Sequence, residues 1–312
     1  MPQRWKSKVL LAKLETAYGT DPTPTGALNA ILATQVRLMP MEGQDQSRDL
    51  ELPWLGAQGT IPTELHRKLS FRVEATPSGE AGTPPAWGVL LRACAVAETI
   101  TADTSVAYNP VSAGHESITL YQWVDGTLYR LSGARGTATL RVTAQGIVYF
   151  EFEFTGLWHD VTDTAQAVPD LAAQIALTPT IATTANTPTF TINAVSLVMR
   201  SFSLNLGNQV ERRFLIGSEA IIIPDKSEAI ETTVEAVPMA TLNPFALAVA
   251  QTRVPISLVH GVTAGSIATL AIPAAQMQRP QGLENQQNIV EWPLRMVPLP
   301  ETGNDQWVLT LT

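Results

Sequence analysis

The chain has 312 residues, 45% of them apolar and only 15% charged, with a formal net charge of -8 and a single cysteine. This length fits two domains, and the acidic balance argues against a nucleic-acid reader, which uses Lys and Arg on phosphates. One cysteine cannot form an internal disulfide, which suits assembly in a reducing cytoplasm, and charge this sparse points to an oligomer, because interface centres are depleted of charge.

At the amino end, Lys6 and Lys8 precede an apolar run of only Val9 to Ala12. That run is too short for a signal-peptide core, and no later stretch approaches a membrane span. Residues 16–30, TAYGTDPTPTGALNA, are turn formers and prolines, so 1–30 is read as an extended arm lying over a domain or a neighbour.

A first domain is expected over 31–160. β-Branched and aromatic alternation predicts strands at Lys68 to Ala75, Ser117 to Val124, Thr127 to Leu131, Thr137 to Val142 and Ile147 to Gly156. In the last of these, Val148, Phe150, Phe152 and Phe154 point to one face and Tyr149, Glu151 and Glu153 to the other. Asp125-Gly126 between two strands predicts a tight type I′ hairpin. Pro84, Pro85 and Trp87 open an apolar stretch read as a helix to Ala97, with Cys94 a buried thiol on it.

Residues 161–190, rich in Pro, Thr and Ala, read as a linker, and 191–312 as a second domain. The second domain repeats the first. Residues 55–77, LGAQGTIPTELHRKLSFRVEATP, reappear at 216–238 as IGSEAIIIPDKSEAIETTVEAVP, a shift of 161 positions that puts Gly56 on Gly217, Ile61 on Ile222 and Val73 on Val234. A Pro-initiated helix (Pro244 to Gln251), an I-S-L strand (Ile256 to Leu258, set against Ile118 to Leu120) and a last Glu-bearing strand (Glu291, set against Glu151) then follow in the same order. A period this long is a domain duplication rather than a solenoid, whose units run about 20 to 50 residues. The first copy carries extra residues, mostly between Glu98 and Glu116, which read as a long functional loop.

Chemistry is poorly supported. The four histidines, His66, His115, His159 and His260, stand at no metal-ligand spacing with another His or Cys, and His159-Asp160 with Asp163 reads as surface charge. Ser132 lies in no G-x-S-x-G elbow, and Gly133-Ala134-Arg135-Gly136 lacks the length and the Lys of a phosphate loop. No cofactor or metal is expected, and the chain is read as a non-enzyme. Glu64, Glu74, Glu151, Glu153, Glu231, Glu235 and Glu291 fall on predicted strands or their edges. On the inside of a ring they would repel a polyanion.

Several segments carry a resemblance: VLLAKLETAYGTDPTPTGALNAIL at 9–32, PPAWGVLLRACAVAET at 84–99, GARGT at 133–137, FSLNLGNQVERRFLIGSEA at 202–220 and GND at 303–305. These resemble the major tail tube proteins of long-tailed, non-contractile bacteriophages. The resemblance implies a mainly β chain of two tandem β-sandwich domains, each flanked by a helix, with inner strands joining an oligomeric β-barrel. It further implies stacked rings, three duplicated chains supplying six domains to each, in the tail of the virion. The expected partners are the chain itself, a tape-measure protein, and the tail terminator and tail-tip proteins, with DNA passing through the channel without specific binding and no membrane involved. On this reading Glu151, Glu153 and Glu235 line the channel, while Tyr18 and Asp21 in the arm and Asp103, Tyr108 and His115 in the long loop make contacts between rings. The alternative is a tail-tip or adhesin-type β-sandwich that binds a cell-surface glycan, with Trp54, Trp87, Trp123, Trp158, Trp292 and Trp307 as sugar platforms.

Overall fold

Residues 149–157 show the rule by which the chain builds its sheets: Phe150, Phe152 and Phe154 are buried while Glu153 between them is exposed. A computed structural model describes residues 2–312. Its first half runs β1 (Lys8–Leu14), the helical turn α1 (Gly26–Asn29), β2 (Thr34–Ser47), β3 (Thr60–Glu74), α2 (Gly88–Arg92), β4 (Val96–Thr101), β5 (Ser105–Pro110), β6 (Ile118–Val124), β7 (Thr127–Thr143), β8 (Tyr149–Leu157) and β9 (Thr162–Asp163). Next come α3 (Ala172–Ala176), β10 (Thr189–Ile192), β11 (Val195–Ser196), β12 (Met199–Asn205), β13 (Glu211–Leu215), β14 (Ser218–Ile222) and β15 (Ala229–Glu235). The chain ends with α4 (Pro244–Ala250), β16 (Arg253–His260), β17 (Ala268–Met277), β18 (Glu284–Gln286), β19 (Ile289–Pro298) and β20 (Val308–Leu311). The fold is mainly β, a sandwich of antiparallel sheets.

The same ladder is written twice. Antiparallel pairing runs β1-β6-β7-β8-β3-β2 in the first half and β10-β16-β17-β19-β15-β12 in the second. A short helix intervenes between the same strands of each ladder, α2 before β6 and α4 before β16. Even an irregularity recurs: the register shifts between Ile118 and Leu120 opposite β7, and between Val254 and Ile256 opposite β17. The structural counterpart of Ile118 is therefore Val254, two residues before the Ile256 that the I-[T/S]-L pattern selects. A three-residue apolar pattern repeats every second position along a strand, so it cannot fix register by itself.

The two ladders are joined. The last residues of β7 pair with β12, Thr143 opposite Ser201, Val142 opposite Phe202 and Leu140 opposite Leu204. Eight strands, β2-β3-β8-β7-β12-β15-β19-β17, thus form one continuous sheet across both halves. Its buried face supplies Phe71, Phe152, Leu140, Phe202, Ile230 and Leu294 to a single core cluster that spans both halves. Fully burying side chains of this size stabilises by about 1.5–3 kcal/mol each.

Three expectations change. The helix read over Pro84 to Ala97 is only α2: Ala95 takes a left-handed φ of 58°, and the β-branched residues after it enter β4. The long loop between Glu98 and Glu116 is mostly the β4–β5 hairpin, and β5 pairs with β20 of the second half, Tyr108 opposite Leu309. Within the arm expected over 1–30, residues 8–14 form β1, paired along its length with β6. The Asp125-Gly126 turn forms as expected, with both residues at positive φ between β6 and β7.

Candidate functional site

The eight-stranded sheet has a second face, open to solvent, and the three acidic residues singled out by alternation lie on it. Rows of side chains cross this face without a break at the junction of the halves: Glu74, Tyr149, Arg141, Ser203, Glu231 and Arg295 stand opposite one another on successive strands. Shallow depressions of about 410 and 210 Å³ lie along it. Glu151 is ion-paired with both Arg72 and Arg141, accepting a hydrogen bond from Arg141, and Arg295 reaches Glu231 at 3.2 Å. Arg200 forms a fork on the nearly buried Glu291 and holds that carboxyl below its usual range through the hydrogen bonds it donates. Glu153 is exposed and Glu235 half-buried. Between the charges the face carries hydroxyls and an amide, Thr137, Thr139, Ser201 and Asn205. Acidic groups alternate here with arginines, so the face is charge-compensated rather than uniformly acidic. Alternation identified the face; the cations came from other strands, and only register brings them across.

All but Asp103 of the residues assigned to ring contacts are engaged within the chain. Tyr18 accepts the backbone N–H of Ile221 at 2.6 Å and lies against the Arg135 guanidinium, which donates to the Ile221 carbonyl at 2.7 Å. Asp21 accepts from the hydroxyl of Tyr121 and from Arg130 at 3.0 Å; partial burial, with this hydrogen bond, pushes Tyr121 up to about 12. The arm is therefore pinned to β6 and β7. Tyr108 is a correction: it is fully buried, and its hydroxyl donates to Glu98 at 2.8 Å, so its side chain cannot reach a neighbouring ring. Apolar residues at alternate positions of β5 face the core, and Tyr108 shares that face with Val106. Asp103 is exposed at the turn of the β4–β5 hairpin, while His115 is half-buried, its backbone carbonyl accepting from Arg135 at 2.8 Å.

A contact that sequence reasoning missed is Asn208. Its side-chain amide donates to the carbonyls of Cys94 at 2.7 Å and Gly136 at 2.9 Å, tying the start of the β13–β14 hairpin to the turn after α2 and to β7 of the other half. Nothing about a lone Asn in a polar stretch signals this. Arg67 was also missed. It is completely buried between Tyr129 and Trp158 and donates to the carbonyls of Pro40, Arg130 and His159 at 2.6–2.7 Å; burial pushes it down to about 10.

Ser132 and His159 do meet, with Oγ and Nε2 2.7 Å apart. The polarity is wrong for a nucleophile and its base. Arg130 can only donate, so at 3.1 Å it fixes His159 Nδ1 as an acceptor and leaves the ring proton on Nε2, directed at the serine. Among the described residues no group of three or more His, Cys, Asp or Glu is placed to hold a metal ion. Of the six tryptophans weighed as sugar platforms, Trp87, Trp123, Trp292 and Trp307 are buried, Trp158 is half-buried and Trp54 is exposed.

A charge-compensated sheet face continuous across two copies of one ladder, with the outer edge of β2 unpaired, is the architecture of a mainly β protein built for extended sheet contacts. The family model described as phage tail tube protein matches residues 5–294, so the chain belongs to the phage tail tube protein family and is a structural component of the virion tail. No curated protein matches the chain. No helix among the described residues is long and apolar enough to cross a membrane.

Proposed function

We propose that three chains close into a ring in which the β7–β12 junction is repeated between chains, and that stacked rings form a tube conducting DNA. The observation that carries this reading is the junction itself. Within the chain it joins the end of β7 in one ladder to β12 in the next. The same ladder positions are free at the two ends: β2 corresponds to β12, and residues 279–283, which follow β17 outside any strand, correspond in register to the end of β7. Repeating the register sets Met39 opposite Pro280 and Leu38 opposite Gln281 of a neighbour. The repeat units on this reading run from β1 to β9 and from β10 to β20, which takes the strand in the arm and the end of the linker into the domains.

Closure also favours three chains. Twenty-four strands at a spacing of about 4.8 Å and a tilt of about 40° give a circumference of roughly 150 Å and a backbone diameter of roughly 48 Å. Side chains narrow this to a bore still wide enough for duplex DNA, whereas six chains would double it. The solvent face becomes the channel wall, with Glu151, Glu153 and Glu235 on it. There Glu151 and Glu231 engage three of the arginines, and hydroxyls fill the intervals. Such a wall offers phosphates few free cations and lets a polyanion slide. Asp103 at the tip of its hairpin remains available to a stacked ring, and the tape-measure, terminator and tip proteins are the expected partners.

Rotationally averaged negative-stain microscopy of the purified protein tests this reading. A six-lobed ring with threefold modulation is expected, because only the first repeat carries the β4–β5 hairpin; protein that stays monomeric at all concentrations overturns it.

A further inference from the structure

The second repeat's hairpin, β13–β14, sits on the first repeat. Ile221 is fully buried there between the Tyr18 hydroxyl and Arg135, and Asn208 at its base is bonded to Cys94 and Gly136. The first repeat has the corresponding hairpin, the outer parts of β2 and β3, in matching register: Ser47 opposite Thr60 stands where Arg212 stands opposite Ile221. That hairpin touches no equivalent surface of its own chain. It projects at the free β2 edge, and its tip exposes Leu50, Leu52, Trp54 and Leu55, the last completely. Apolar groups clustered in this way mark an interaction site.

The surface it would need exists at the other end of the sheet. The ladder registers place Gln276 where Arg135 stands and Met277 where Gly136 stands, and these line an open groove of about 470 Å³ between α4, β17 and β19. In the first repeat the matching space is closed by β14 and by Tyr18 of the arm. The second repeat has no such arm, since β10 passes by a short turn into β11 and β12. The charges agree as well: the hairpin carries Asp45, Asp49 and Glu51 against a single cation, Arg48, and the groove carries Arg279 beside Arg295, which is itself paired with Glu231.

We infer that the tip of the β2–β3 hairpin, residues 48–59, is a clasp that seats in the α4–β17–β19 groove of a second copy of this chain. It rests on the ring reading, and it adds a contact outside the channel sheet. Trp54 and Leu52 fill the volume that Tyr18 takes in the first repeat, and Thr60 approaches Gln276 as Ile221 approaches Arg135. The groove thereby selects another copy's hairpin, because the chain's own lies across seven strand pairings.

Two singly substituted full-length proteins test the clasp, Thr60→Cys and Gln276→Cys, mixed and treated with a short bismaleimide. Cys94 is buried and serves as the unreactive background. The expected result is an inter-chain adduct at least tenfold above that of Thr60→Cys mixed with Ile175→Cys on α3. A second pair, Met39→Cys with Pro280→Cys, reports the sheet edges. Adducts at the edges with none above background at the clasp would overturn the clasp and leave the ring standing. Absence of both, with monomers in sedimentation, would overturn the ring and the clasp together. Replacing residues 49–58 by Gly-Ser-Gly should leave the monomer's thermal midpoint unchanged and lower its trimer fraction at least tenfold; undiminished trimer would also overturn the clasp.

Discussion

The two repeats share a ladder but differ in what covers their flank. On the first repeat, β14, Tyr18 and Asn208 close the space beside β7 and β8; on the second, the equivalent space beside β17 and β19 is open. The first repeat is thus finished within the chain, and the second is left for something else to finish. Under the proposed ring, duplication followed by fusion would account for this difference physically. A junction between separate subunits of a ring of single domains would become intramolecular at every second position, and its contacts could then be built by loop and arm residues that the other copy lacks.

The largest effect tests whether the repeats are one cooperative body. Phe152→Ala in the first repeat should cost about 3–5 kcal/mol and Leu294→Ala at the matching position of the second about 2–5 kcal/mol. Because one core cluster spans both, urea unfolding followed by circular dichroism and by tryptophan fluorescence should show a single transition shifted by either change. Two separated transitions would show instead that the repeats are independent. A smaller effect isolates the closed flank. Tyr18→Phe removes the acceptor of the Ile221 N–H and should cost about 1–3 kcal/mol, seen as faster hydrogen exchange at Ile221 with little change at Gln276.

The smallest effect depends on pH and concerns the second repeat alone. Arg200 holds the Glu291 carboxyl below its ordinary 4.5. A depressed carboxylate contributes stability above its unfolded-state pKa and loses it as pH falls through the folded one. The difference in unfolding midpoint between the native chain and Arg200→Gln should therefore be fully present at pH 7 and shrink as pH drops below about 4.5. A difference that stays constant down to pH 2 would assign Arg200 a packing role only.

Much of this fold is legible without coordinates. The Val148 to Phe154 alternation specifies a strand with one wet face, Asp125-Gly126 specifies its hairpin, and the match of 55–77 with 216–238 specifies the duplication, because each depends on neighbours along the chain. The β4–β5 hairpin is hidden in the sequence because β5 gains its outer partner from β20, some 200 positions away. Tyr108 looked like a loop aromatic for the same reason.

The sequence by itself determined the two copies, the acidic positions on the open face, and the family. Only the tertiary structure decided that Glu151 lies between Arg72 and Arg141, that Asn208 and Tyr18 join the halves, and that one flank is covered while the other stays open. The former follow from side-chain periodicity, which is local. The latter depend on which strands become neighbours, and that is set by burial of the whole core and by strand register across the sheet.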